Sequence, residues 1–150
     1  MRDILSAAAI FALCVTPAMA QPRTGGTNYR TQVQNYLGEQ AGKHTADGFR
    51  QEQGARDFVR QLRLDGGALW PLQLQAGVTY RVFAVCDNDC SDVDLEVYDP
   101  SGAFVGRDIS TTDIPYVEVT PTAAGQYMAR IWLAACESEP CYVAARLYRR

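Results

Sequence analysis

The chain has 150 residues, 17 acidic against 14 basic side chains and a formal net charge of −3. That is one domain's length, enough for a sizeable core. It lacks the basic excess that binding to nucleic-acid phosphates requires. The acidity is local: residues 86–118 hold nine acidic groups and one basic one, and the segments on either side are net positive.

The first twenty residues read as a cleavable export signal. Arg2 gives a short basic start, Ile4 to Val15 an apolar run, and Ala18-Met19-Ala20 the small residues that a signal peptidase recognises. The run is too short to span about 30 Å of hydrocarbon. Leu13 stands where a lipoprotein anchor on Cys14 would need a small residue. No later stretch suits a membrane span. The expected location is the periplasm or the cell exterior.

Residues 21–56 are expected to hold a flexible lead and one helix. Thr27 or Asn28 can cap it, and Tyr29, Val33, Tyr36 and Leu37 recur on one helical face. Gly38 or Gly42 is expected to end it. From residue 57 the period changes to two. Phe58 to Arg63, Leu72 to Leu74, Tyr80 to Val85, Val93 to Tyr98, Ala103 to Arg107, Pro115 to Thr120, Gln126 to Ala134 and Cys141 to Tyr148 each read as a strand. Turn residues separate them, notably Asp65-Gly66-Gly67, Ala76-Gly77 and Asp99-Pro100-Ser101-Gly102. Seven or eight short strands of this kind predict a mainly β protein, an antiparallel sandwich with Greek-key character, over residues 57–150.

Beyond the signal segment the cysteines are Cys86, Cys90, Cys136 and Cys141. An even number in an exported chain predicts two disulfides, and the local pairs Cys86–Cys90 and Cys136–Cys141 are expected. A four-cysteine zinc site is the alternative, with looser spacing than is usual.

Leu74-Gln75-Ala76-Gly77-Val78-Thr79-Tyr80, Asp92-Val93-Asp94-Leu95-Glu96-Val97-Tyr98-Asp99-Pro100-Ser101-Gly102 and Gly125-Gln126-Tyr127 occur in an order that resembles the bacterial pre-peptidase C-terminal domain. The resemblance covers roughly residues 57–148 and implies a jelly-roll-like sandwich on a secreted protein, often beside a protease. This chain departs from that pattern in its two cysteine pairs and in having no peptidase domain before the match. The motifs also have a physical reading. Tyr127 follows a corner, where its hydroxyl is expected to bond backbone across the turn.

Asp87, Asp89, Asp92 and Asp94, with Asp108 and Asp113 from a later loop, are the candidate calcium ligands. The alternative is a solvated acidic edge that discourages strand-to-strand association. Trp70, Tyr98, Tyr116, Trp132 and Tyr142 are candidate binding aromatics, and the helix is expected to cover Trp132. His44, in a polar stretch, is expected to be solvated. Ser91, Ser101, Ser110 and Ser138 lie in ordinary loop contexts, with no pattern of a nucleophile beside a base. The expected role is a non-catalytic exported module that binds or stabilises a protein or glycan partner, with calcium as a candidate cofactor. A secreted hydrolase or an inhibitor of one is the alternative, and a subunit of an envelope assembly is a third.

Overall fold

The computed structural model describes residues 28–150, so the expected export signal lies outside the described residues. One helix, α1 (Tyr29–Ala46), precedes nine strands: β1 (Arg50–Gln51), β2 (Phe58–Leu62), β3 (Gly67–Leu74), β4 (Tyr80–Cys86), β5 (Cys90–Tyr98), β6 (Phe104–Asp108), β7 (Tyr116–Val119), β8 (Gly125–Cys136) and β9 (Cys141–Arg149). Two antiparallel sheets form. The five-stranded sheet runs β1-β9-β4-β7 with β2 also paired to β9, and the four-stranded sheet runs β3-β8-β5-β6. The sequence expectation of a two-layer antiparallel β fold with one helix holds. The extra strand is β1, a two-residue pairing of Arg50 and Gln51 with Arg149 and Tyr148.

Alternation builds the core. Val93, Leu95 and Val97 of β5 are fully buried, as are Ala129, Ile131 and Leu133 of β8. They meet Tyr80, Val82, Ala84, Val143, Ala145 and Leu147 of the other sheet. At one edge the sheets approach closely: a Cβ on Gly106 of β6 would stand 2.7 Å from Val117 Cγ1 of β7. Only glycine fits that approach without a shift.

A second apolar layer lies outside the five-stranded sheet. There Val33 and Leu37 of α1 pack with Phe49 on Val59, Phe83, Val85, Ala144 and Tyr148. Every residue of β4 is therefore buried, because the sandwich core covers one face and α1 the other.

Asn28 caps α1 by accepting the Thr31 N–H at 3.2 Å. The helix does not stop at Gly38 or Gly42, as the sequence suggested, but runs to Ala46. Both glycines look onto open space, so docking of the buried face overrides their weak helical preference. Gly48, with φ of +83°, turns the chain just past the helix end.

Both local disulfides are present, Cys86–Cys90 and Cys136–Cys141. Asp99, Ser101 and Gly102 form the expected turn, with Gly102 N–H donating to Asp99 O at 2.9 Å. Tyr127 makes the expected corner bond, its hydroxyl donating to Ala123 O at 3.1 Å.

Candidate functional site

The two outer faces of the sandwich differ. α1 lies on the five-stranded sheet, while among the described residues no helix packs on the four-stranded one. Outward-pointing residues of β3, β8, β5 and β6 therefore form an open face. Trp132 stands opposite Asp94 there, and Arg130 stands between Glu96 and Leu69. Leu69 is 61% exposed and Phe104 is 53% exposed. Tyr98 and Phe104 are cross-strand partners whose rings meet edge to face at 6.1 Å. Arg130 donates to Glu96 Oε2 at 3.1 Å, and its guanidinium lies 4.1 Å from the centre of the Trp132 ring. The Tyr98 hydroxyl also donates to Glu96, at 2.8 Å. These two hydrogen bonds, Tyr98 first, hold the Glu96 carboxyl below its usual range.

Trp132 is not covered by α1, which corrects the sequence expectation. It belongs to the sheet on the far side of the core. Trp70 points inward, 9% exposed, and packs against Phe58. Tyr98 lies on the open face. Tyr116 lies at the β7 edge, 52% exposed, and Tyr142 packs beside the α1 layer.

The six candidate calcium ligands do not form one metal-holding group. Asp87 is 2% exposed and accepts the Tyr142 N–H at 2.6 Å and the Asp89 N–H at 3.3 Å. It ties the first disulfide loop to the start of β9, and burial pushes its carboxyl up. Asp92 accepts the Thr112 N–H at 3.3 Å. Asp108 accepts from Ser110 and from the Tyr116 N–H. Burial raises its carboxyl, but those hydrogen bonds outweigh it and hold the carboxyl low. Asp113 lines a hollow with Tyr36 of α1 and Cys86. Asp94 stands on the open face. Among the described residues, no three His, Cys, Asp or Glu side chains converge on a point that would hold a metal ion. Asp92 and Asp94 share one side of β5 near Asp108, but Asp92 and Asp108 are spent on backbone N–H groups and Asp87 is buried.

His44 also departs from expectation. It lies in the last turn of α1, 7% exposed, with its ring 4.2 Å from that of Phe83 and 4.9 Å from that of Tyr148. Val33, Leu37 and His44 fall at i, i+4 and i+11, so a longer helical reading of the sequence would have put His44 on the buried face. Arg81 Nη1 lies 3.1 Å from His44 Nδ1 and 2.7 Å from Asp47 Oδ2. Arg81 also donates from Nε to Glu118 at 3.0 Å and stacks on Phe49.

Since a guanidinium only donates, Nδ1 must accept and the imidazole is neutral. Burial first, then Arg81, holds its pKa below the ordinary value. Lys43 and Asp47 also face the ring. The unfolded chain therefore takes up a proton before the native one does. Stability is retained above the ordinary histidine pKa of about 6.5 and falls below it, by at most about 1.4 kcal/mol per pH unit. Urea unfolding between pH 7.5 and 5.5 is expected to show this loss, and His44→Phe is expected to flatten it. Parallel losses in both proteins would remove His44 as the cause.

A cleft of about 490 Å3 opens between β3 and the loop joining β1 to β2, lined by Trp70, Leu72, Leu147, Glu52, Arg56 and Gln73, among others. Glu52 pairs with Arg149 at 3.3 Å. The hydroxyls of Ser101 and Ser110 donate to Asp99 and Asp108 within their own turns.

The fold and the open face define a disulfide-bearing, two-sheet β domain with one face covered and one bare. No family model matches the chain, and no curated protein does. Among solved structures, the chain is similar to PliG of Aeromonas hydrophila, a periplasmic lysozyme inhibitor of g-type lysozyme. The two are 16% identical, the match covers 67% of this chain and 90% of that one, and the TM-score is 0.46.

Proposed function

We propose that this chain is an exported domain that binds a protein partner through the outer face of its four-stranded sheet. The observation that carries the reading is the asymmetry of the sandwich. One sheet has its apolar outer face closed by α1, while the other leaves Leu69, Phe104 and the Trp132–Arg130 stack open on a rigid, hydrogen-bonded platform. Aromatic and arginine side chains supply most of the binding energy at protein interfaces. Export is supported by the two disulfides, which persist in oxidising compartments. No helix among the described residues is long and apolar enough to cross a membrane.

A protein fits this face better than a glycan does. Sugars stack on bare aromatic planes, and here Arg130 already lies over the Trp132 ring. An inhibitor of a secreted hydrolase is the particular form of the reading that we carry forward, since such an inhibitor acts by covering its enzyme. The resemblance to the pre-peptidase C-terminal domain is proposed as kinship of fold.

The test is partner capture from the native envelope with the wild-type chain and with a Leu69→Ser/Phe104→Ser variant. Both positions are exposed, so the variant is expected to melt within a few degrees of wild type. The expected result is a partner retained by wild type and lost by the variant. A partner held equally by both would place the interface elsewhere. For the inhibitor form, a g-type lysozyme is the first enzyme to assay. The domain is expected to lower its initial rate of cell-wall lysis at equimolar concentration, and an unchanged rate would count against that form.

A further inference from the structure

Near the middle of the open face is a hollow of about 170 Å3 lined by Asp94, Glu96, Arg130 and Trp132. Its charges are not balanced. Arg130 is committed to Glu96 and stacks on Trp132. Glu96 is further satisfied by the Tyr98 hydroxyl. Among the described residues none donates a hydrogen bond to Asp94, which is pressed by burial and by the neighbouring carboxylates Asp92, Glu96 and Asp108, with Arg130 as the opposing charge. A single unmatched carboxylate thus sits beside a tryptophan on a sheet face. Exposed apolar groups flank it, with Leu69 opposite Arg130 on β3 and Phe104 opposite Tyr98 on β6. An apolar surround excludes water and strengthens a charge pair made at its centre.

We propose that this hollow seats a basic side chain, arginine or lysine, of the partner protein, with its charged end on Asp94 and its stem beside Trp132. The inference rests on the protein-binding reading above and names what the face recognises. On this face Asp92, Asp94 and Glu96 of β5 outnumber Arg107 of β6 and Arg130 of β8, a sign that complements a basic partner. Glu96 is already neutralised, so the hollow offers one free carboxylate, which suits a monovalent organic cation better than a calcium ion needing six to eight oxygens.

The experiment uses the whole exported chain and three capped peptides, Leu-Arg-Leu, Leu-Lys-Leu and Leu-citrulline-Leu. Citrulline keeps the shape of arginine without its charge. Binding is read from the Trp132 indole N–H signal by NMR at low ionic strength. The arginine and lysine peptides are expected to shift that signal saturably and the citrulline peptide to leave it in place. Asp94→Asn is expected to weaken arginine-peptide binding by about tenfold. Glu137→Gln, which removes an exposed charge beyond the open face, is expected to leave it unchanged. Equal binding of the citrulline peptide would overturn the proposal, as would unchanged binding by Asp94→Asn or an equal loss in Glu137→Gln. With the captured partner, loss in Leu69→Ser/Phe104→Ser but full binding by Asp94→Asn would sink the hollow and keep the face. Full binding by both would sink the face itself.

Discussion

Phe83→Ala is expected to destabilise the domain by about 3–5 kcal/mol, among the largest costs of any single side-chain truncation here. Phe83 is fully buried on the outer side of β4, where its ring contacts His44 of α1 and lies 5.7 Å from that of Tyr148. Truncation removes the transfer energy of a phenyl ring and leaves a void between β4 and α1. The melting temperature is expected to fall by more than about 10 °C. A loss below about 1 kcal/mol would mean that α1 is not part of the cooperative fold. Leu69→Ala, on the open face, is the matched comparison and is expected to stay within about 0.5 kcal/mol of wild type. One outer face thus holds the fold together, while the other can be altered at little cost to it.

Removing both disulfides by replacing all four cysteines with alanine is expected to cost about 4 kcal/mol. The bridged residues are separated by 4 and 5 positions. Closing loops this short removes chain entropy from the unfolded state worth about 2 kcal/mol each. Alanine is the right replacement because Cys86 and Cys141 are buried, and serine would bury a hydroxyl there. The two bridges are neighbours: Cys90 and Cys136 are cross-strand partners, and Glu137 N–H in one loop donates to Asp89 O in the other at 2.6 Å. Their losses are therefore expected to couple rather than add independently. Urea unfolding of the two double variants and the quadruple variant measures this, and a quadruple variant as stable as wild type would contradict it.

Much of the fold is legible in the sequence because a sheet with one buried face imposes a period of two. Val93, Leu95 and Val97 announce β5 and its inward side. The apolar residues around Arg81, from Tyr80 to Val85, announce the strand β4, whose two faces are both buried. Local chemistry was equally readable at Asn28, at the turn from Asp99 to Gly102, at the Tyr127 corner and in the pairing of the near cysteines.

What escaped the sequence is non-local. Alternation says that Trp132 points away from Ile131 and Leu133, but it does not say which sheet's outer face receives the helix. β1 is two exposed residues whose pairing depends on where β9 ends. The start of β3 is masked by Gly67 and by Pro71, a residue that a sheet tolerates only at an edge. His44 looks solvated between Lys43 and Thr45 until α1 is carried past two glycines. The aspartates look like one cluster because their spacing is short. Which of them are spent depends on the backbone N–H groups that the fold brings to each.

Hydroxyl-radical footprinting of the complex with the captured partner tests the open face most directly. Leu69, Phe104, Met128 and Trp132 are expected to react in the free domain and to be protected in the complex, while Tyr36 of α1 reacts alike in both. Protection confined to α1, with those four side chains still reactive, would contradict it.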